Sequence, residues 1–409
     1  LIGDPATANL APNGTIDTPL ENLIINISDT LVFNGTASDF EAKVPFTYLW
    51  KCGAGSGIAD ATIEDPGSVL FNNEGVFTVS FTVTDSLGQT DPTPASRIIE
   101  VCTPPSVSIL EPENKHIQTS STLTIQAHPC LDSSTHAGWG VRFTLINSDG
   151  TTVDQADDTV TPYQATFTGL LKDEYTVQAT LIDQFTVEVG GTTTQVSQIG
   201  IGDYYVAVGD SITLGLGDDL LSDNISQDGR NTLGGYPPVL NDRLTTLKDY
   251  PHTVINNGIA GDTSIEGLLL MPSLLASNQE ALFVLIQYGT NDAGIPLPSG
   301  LNLSTGQSGY NGSFKDNMQQ MITLVANAGK QAYLAKIPFA KGSFSGRNTL
   351  IQEYNQVIDQ LISENSISVA APDFYTFFEL NQDQYSDDLH PNGTGYQSMA
   401  DLWFNALTP

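Results

Sequence analysis

Four short clusters in the second half of this 409-residue chain hold the residue types that nucleophilic acyl chemistry needs. Ser211 lies in the run Gly209, Asp210, Ser211, Ile212. A serine on a tight turn after a strand can present its hydroxyl with its own backbone N–H aimed at the same point, as a nucleophile with an attached oxyanion donor requires. Gly261 closes a run that begins Asn256, Asn257, Gly258, and without a side chain its backbone can approach a developing oxyanion closely. Asn291 follows Gly289 and Thr290, and its amide can add a donor without competing for the proton. His390 sits three residues after Asp387, a spacing at which the carboxylate can hold Nδ1–H while Nε2 faces the serine. On residue type alone, either Asp387 or the adjacent Asp388 can reach the imidazole. Asp210 and Asp292 read instead as carboxylates that bond loop N–H groups and hold their turns.

The elements around these clusters alternate between strand and amphipathic helix from residue 203 onward. Strands are predicted at 204–208, 253–256, 281–288, 331–337 and 368–370, and helices at about 236–247, 264–270, 314–327, 349–364 and 393–406. That alternation calls for a five-stranded parallel sheet with helices on both faces, a three-layer α/β unit. Run 281–286 is apolar without alternation, as a central strand covered on both sides should be. In such a sheet, functional groups gather beyond the C-terminal ends of the strands, where the first three clusters fall; the fourth lies in the loop before the last helix.

The four clusters, in this order and over residues 203 to the C-terminus, resemble the SGNH (GDSL-type) hydrolase family, whose motif blocks carry a Ser, a Gly, an Asn and a His. The resemblance implies that Ser211 attacks an ester carbonyl. It implies an oxyanion hole made by the N–H groups of Ser211 and Gly261 with the Asn291 side chain. His390 is then general base and acid, and the family spacing makes Asp387 the residue that orients it. None of these positions departs from the pattern.

The first half reads as all-β. Run 76–83 places Phe77, Val79, Phe81 and Val83 on one face and Thr78, Ser80 and Thr82 on the other, the period-2 pattern of a half-buried strand. Further strands are predicted at 30–34, 47–50 (carrying Trp50) and 96–102, with a turn at Asp85, Ser86, Leu87, Gly88. Through "FNGTASD", "YLW", "GVFTVSFTVTDS" and "RIIEV", residues 1–103 resemble a PKD-type immunoglobulin-like sandwich. After Pro104 and Pro105, strands at 106–110, 122–127 and 141–146 suggest a second Ig-like sandwich over 104–199, leaving 200–409 for the catalytic domain. Run 76–85 echoes run 174–183, as equivalent strands of tandem domains would.

Composition narrows the function classes. Lys+Arg total 14 against 46 Asp+Glu, and a net charge of −32 repels nucleic-acid backbones and anionic lipid surfaces alike. No apolar run approaches the roughly 20 residues of a membrane helix. No positive segment followed by an apolar run opens the sequence, which leaves a cytoplasmic chain or one whose leader has been cleaved as the expectations. The three cysteines, Cys52, Cys102 and Cys130, allow at most one internal disulfide. A Cys102–Cys130 bond would staple the junction of the two sandwiches; buried free thiols are the alternative. His116, His128, His136 and His252 show no zinc-like spacing, so neither metal nor other cofactor is implied. Asp218, Asp219 and Asp223 could ligate calcium, but a solvated acidic loop is the expected reading.

These observations lead to a secreted, periplasmic or surface serine esterase acting on short-chain or carbohydrate-linked esters. Polar stretches 217–235 and 295–312 would rim its site. An acyltransferase using the same acyl-enzyme, or a surface-binding protein with a vestigial hydrolase domain, are the competing classes.

Overall fold

The computed structural model describes residues 9–103, 105–131, 136–220 and 234–408. Seven strands form the first β unit: β1 (Asn13–Thr18), β2 (Leu23–Ile25), β3 (Thr30–Ser38), β4 (Thr47–Lys51), β5 (Gly67–Leu70), β6 (Gly75–Thr84) and β7 (Ala95–Val101). They make two sheets, ordered β1-β3-β5 and β2-β7-β6-β4. One hydrophobic cluster joins the sheets, with Ile16 and Phe33 from the first meeting Trp50, Phe81 and Ile99 from the second. The alternation read in 76–83 has this cause: Phe77, Val79, Phe81 and Val83 are all buried there. Trp50 stacks on Phe81 at 4.4 Å, and its indole N–H donates to the Glu64 carbonyl.

A second β unit follows the same plan. Its strands are β8 (Ser106–Glu111), β9 (Ile117–Gln118), β10 (Leu123–Cys130), β11 (Gly140–Ile146), β12 (Thr152–Asp158), β13 (Gln164–Phe167), β14 (Asp173–Ile182) and β15 (Thr194–Ile201). Sheets β13-β10-β8 and β12-β11-β14-β15-β9 share a core that includes Ile125, Phe143, Phe167, Val177 and Ile199. The sequence echo is structural. β6 and β14 are the long strands of their units, and each is followed by an Asp whose Oδ1 accepts the N–H groups two and four residues on: Asp85 from Leu87 and Gln89, Asp183 from Phe185 and Val187. Cys102 and Cys130 are disulfide-bonded across the two units, while Cys52 is a free thiol buried in the first core.

Every α-helix among the described residues lies beyond Asp210. The C-terminal unit runs β16 (Asp203–Gly209), α1 (Ser211–Leu214), α2 (Tyr236–Lys248), β17 (His252–Gly258), α3 (Ser264–Ser277), β18 (Phe283–Gln287), α4 (Phe314–Asn327), β19 (Gln331–Leu334), α5 (Asn348–Glu364), α6 (Phe374–Leu380) and α7 (Gly393–Leu407). The sheet is parallel, in the order β17-β16-β18-β19. Side chains of β16 alternate between its two faces. Val206 and Val208 pack with α3, α4 and α5, whereas Tyr205 and Ala207 pack with α2, α6 and α7. Lys172 of the second β unit bonds Asp203 at the head of β16 at 2.7 Å, and Tyr250 donates to the same carboxylate.

Four parallel strands are present among the described residues, not the five expected. Residues 368–370 run beside β19 without forming a ladder: Lys336 N–H donates to the Pro372 carbonyl, Pro372 has no N–H to return, and Asp373 already caps α6.

Candidate active site

Register brings the motif-bearing turns together. Gly209 pairs with Gly258 on one side and with Gln287 on the other, so the turns after β16, β17 and β18 emerge side by side. Gly209 cannot be larger here: a Cβ would lie 2.4 Å from the Gln287 carbonyl oxygen and 2.2 Å from Thr213 Oγ1. The chain then turns at Asp210, whose carboxylate accepts the Ile212 N–H and caps α1. Ser211 thus stands on the first residue of α1, only 5% exposed, between the two neighbouring strand exits.

Ser211 Oγ lies 3.0 Å from His390 Nε2, and His390 Nδ1 lies 2.8 Å from Asp387 Oδ2. An ionised carboxylate only accepts, so Nδ1 carries the proton and Nε2 is left to accept from the serine hydroxyl. The other oxygen of Asp387 accepts the backbone N–H groups of Leu389 and His390, at 2.6 and 2.7 Å, which fixes the loop that carries the imidazole. Burial alone would push the Asp387 carboxyl up, but the bonds from the His390 ring and these two N–H groups outweigh it and hold it below the usual range. Asp388 turns away, accepting the N–H and hydroxyl of Ser343.

Gly261 sits at φ +90° in an exposed turn with open space where a Cβ would be, so the left-handed backbone, not crowding, favours glycine there. The preceding Ile259 donates its N–H to the Gly209 carbonyl, tying this turn to the one that carries Ser211. Asn291 spends one amide proton on the Asp262 carbonyl at 2.9 Å, joining the second and third turns and leaving its other N–H for a ligand. Asp292 accepts both the N–H and the hydroxyl of Ser264 at the start of α3, so it holds a turn as its type suggested. Asp210 and Asp292 are both buried; burial drives the Asp210 carboxyl up to about 7, and Asp292 adds to the rise.

Three supports were not read from the sequence. Asn256 donates to the carbonyls of Thr213 and Gly234 and so fastens α1 to the β17 exit. Segment 341–347 bridges two parts of the site: Lys341 and Ser343 bond Asp388 next to Asp387, while Arg347 donates to the Thr290 carbonyl next to Asn291. Buried Lys315 bonds the Leu303 carbonyl and Glu364, pinning the stretch after Asn291. None of these contacts has a sequence signal, because each joins residues too far apart in the chain for a local pattern to link them.

Asp218 accepts the N–H groups of Leu220 and Gly235, and Asp219 accepts that of Gly393, so both carboxylates are engaged with backbone; Asp223 and most of 217–235 lie outside the described residues. Among the described residues no cluster of three or more His, Cys, Asp or Glu could hold a metal, and no helix is long and apolar enough to cross a membrane.

Residues 207–398 match the GDSL-like Lipase/Acylhydrolase family. Esterase TesA of Pseudomonas aeruginosa is 39% identical over 87 residues, which are 21% of this chain and 36% of that protein, so the chain spans about a third of the length of this curated relative. Among solved structures, the acetylxylan esterase Axe2 of Geobacillus stearothermophilus is 18% identical with a TM-score of 0.40, covering 51% of this chain and 95% of that one. A structure of TesA is 23% identical with a TM-score of 0.38, covering 51% and 99%. Scores of this size carry no argument. The family match and the esterase relative support a GDSL-type carboxylic ester hydrolase domain over residues 207–398.

Proposed function

We propose that the chain is a serine esterase whose C-terminal domain, residues 200–409, hydrolyses carboxylic esters through an acyl-enzyme on Ser211. The observation that carries this is the continuous relay from Ser211 Oγ through His390 to Asp387, at 3.0 and 2.8 Å. In the first step Oγ bonds to the ester carbonyl carbon as its proton passes to His390 Nε2, and the carbonyl oxygen takes the negative charge. The N–H groups of Ser211 and Gly261 with the Asn291 amide receive that charge. Collapse expels the alcohol, which takes the proton from His390. Water, deprotonated by His390, then releases the acid and restores the serine.

The polar composition of the rim favours short acyl groups, and a sugar-linked acyl ester fits an open site of this kind. We assign residues 1–103 to a PKD-type Ig-like domain and 104–199 to a second Ig-like domain, on the sandwich cores, the central Trp50 and the repeated strand-and-Asp turn. Their role would be to hold the enzyme on a carbohydrate or cell surface. A disulfide between them fits an oxidising compartment, hence a secreted, periplasmic or surface protein.

The test is turnover of p-nitrophenyl esters from acetate to palmitate by the full chain beside Ser211→Ala and Asp387→Asn. Cleavage of acetate or butyrate that is lost in Ser211→Ala is the expected result. An inert wild type, or a Ser211→Ala variant of equal activity, overturns the assignment.

A further inference from the structure

A cavity of about 550 Å³ lies far along the sequence from Ser211, at the seam of the two β units. Its walls come from β10, from the turn that carries Trp139 and from the turn before β13 that carries Tyr163, with Ile24 of the first unit at its edge. We propose that this cavity binds a neutral oligosaccharide, with Trp139 and Tyr163 as its apolar surfaces and Gln126, Thr159 and Thr161 as hydrogen-bonding groups. This does not depend on the ester chemistry assigned to the C-terminal domain.

Three observations carry it. The first is charge: the chain holds 46 acidic residues, yet no Asp, Glu, Lys or Arg is among the described residues that line this cavity. Its two imidazole walls are His128, engaged with Glu100 at 2.6 Å, and His136, edge-on to the Trp139 ring at 4.4 Å. Among the described walls an ionic ligand finds no counter-charge, and an uncharged one meets none of the repulsion that an acidic wall exerts.

The second is composition. Trp139 and Tyr163 are half-buried, each packed against the second core on one side while contributing to the cavity on the other. Rigid aromatic rings beside exposed amide and hydroxyl groups match a pyranose, which offers an apolar C–H face and a girdle of hydroxyls. The volume falls within the roughly 300–1,000 Å³ usual for small-molecule sites.

The third is preorganisation. The Cys102–Cys130 bond and the Glu100–His128 contact both cross the seam, and His128 and Pro129 are themselves cavity walls beside Cys130. The two units are therefore held in one arrangement at this point, and less ordering is left for a ligand to impose.

Tryptophan emission reads the site directly, because Trp50 and Trp403, at 2% and 0% exposure, are out of a ligand's reach. The full chain is titrated with cellohexaose, xylohexaose, mannohexaose and N-acetylchitohexaose, and with a hexamer of galacturonic acid as the charged comparison. Expected is a saturable emission change with at least one neutral hexamer and none with the charged one. Calorimetry on Trp139→Ala and on Ala137→Arg should show affinity reduced at least tenfold, with p-nitrophenyl acetate turnover unchanged. Ala137 is exposed on the rim turn, so that variant carries the test if Trp139→Ala does not fold. No saturable response to any neutral hexamer, a response to the charged hexamer alone, or unchanged affinity in the folded variants overturns the proposal. A chain inert on esters that still binds a neutral hexamer refutes the esterase reading and leaves this one standing.

Discussion

Asp210 offers the sharpest test of how Ser211 is held, because its buried carboxyl is displaced to about 7 and sits next to that serine. In an unfolded chain the same group titrates near 3.9, so the folded value is the higher one. A raised folded value means that the stability it contributes is fully present below about pH 4 and is lost as pH rises through about 7. Working the linkage between about pH 5 and pH 8 gives a loss of about 2.5 kcal/mol from this one group. Asparagine keeps a side-chain oxygen for the Ile212 N–H and is an equally good cap, but it cannot ionise. Asp210→Asn should therefore shift the balance towards the variant by about 2.5 kcal/mol on going from about pH 5 to pH 8. Urea unfolding followed by the helical far-ultraviolet signal measures this, since the described helices all belong to the C-terminal unit. Asp387 titrates in both proteins, so its contribution largely cancels in the difference. An equal pH dependence in the two proteins, or a wild type that gains on the variant as pH rises, refutes the reasoning.

Ser211→Ala and Asp387→Asn should each lower kcat on p-nitrophenyl butyrate by about 10³-fold or more, with the native fold retained by circular dichroism. Arg347→Ala removes the donor to the Thr290 carbonyl and should lower kcat by about tenfold with little change in KM, because the Asn291 amide shifts relative to the reacting carbonyl. Steady-state kinetics separates this from a binding defect, which would move KM instead. Replacing both Cys102 and Cys130 by serine opens a 28-residue loop and should cost the β units about 3–4 kcal/mol in urea unfolding, while ester turnover stays within twofold.

Much of the catalytic unit is legible because its signals are local. A strand such as β18 is apolar from Phe283 to Ile286 since both faces are covered, and the turn residues after β16, β17 and β18 follow directly from where those strands stop. The fifth strand misleads for the opposite reason: Val369 and its neighbours have strand-like composition, but pairing depends on Pro372 and on the cap of α6. Helix α6 is missed because seven residues give too short a period to read. Residue type leaves Asp387 and Asp388 equivalent, and what separates them in the structure is Ser343, which bonds Asp388 from forty-five positions away in sequence. Likewise, the sequence permits a Cys102–Cys130 bond without requiring one, since pairing depends on how two separately folded units meet.

The same distinction explains what keeps the site in register. Ser211, Gly261 and Asn291 each come from a different connection, and a parallel sheet fixes only where each connection leaves. What lies beyond the strand ends is set by side-chain bonds between the turns: Asn256 to Thr213, Asn291 to Asp262, Asp292 to Ser264, Arg347 to Thr290 and Ser343 to Asp388. Four of these bonds have an asparagine or a carboxylate at one end, which suits a chain with only 14 cations. Arg347 is the cation in the set, and it donates to a carbonyl instead of pairing with one of the 46 acidic groups, so its contribution is directional more than Coulombic. Positioning that rests on short directional bonds is little affected by screening, which acts on the long-range repulsion of a net charge of −32. Salt therefore acts on this protein chiefly through its surface and leaves the geometry around Ser211 to the hydrogen bonds that cross from turn to turn.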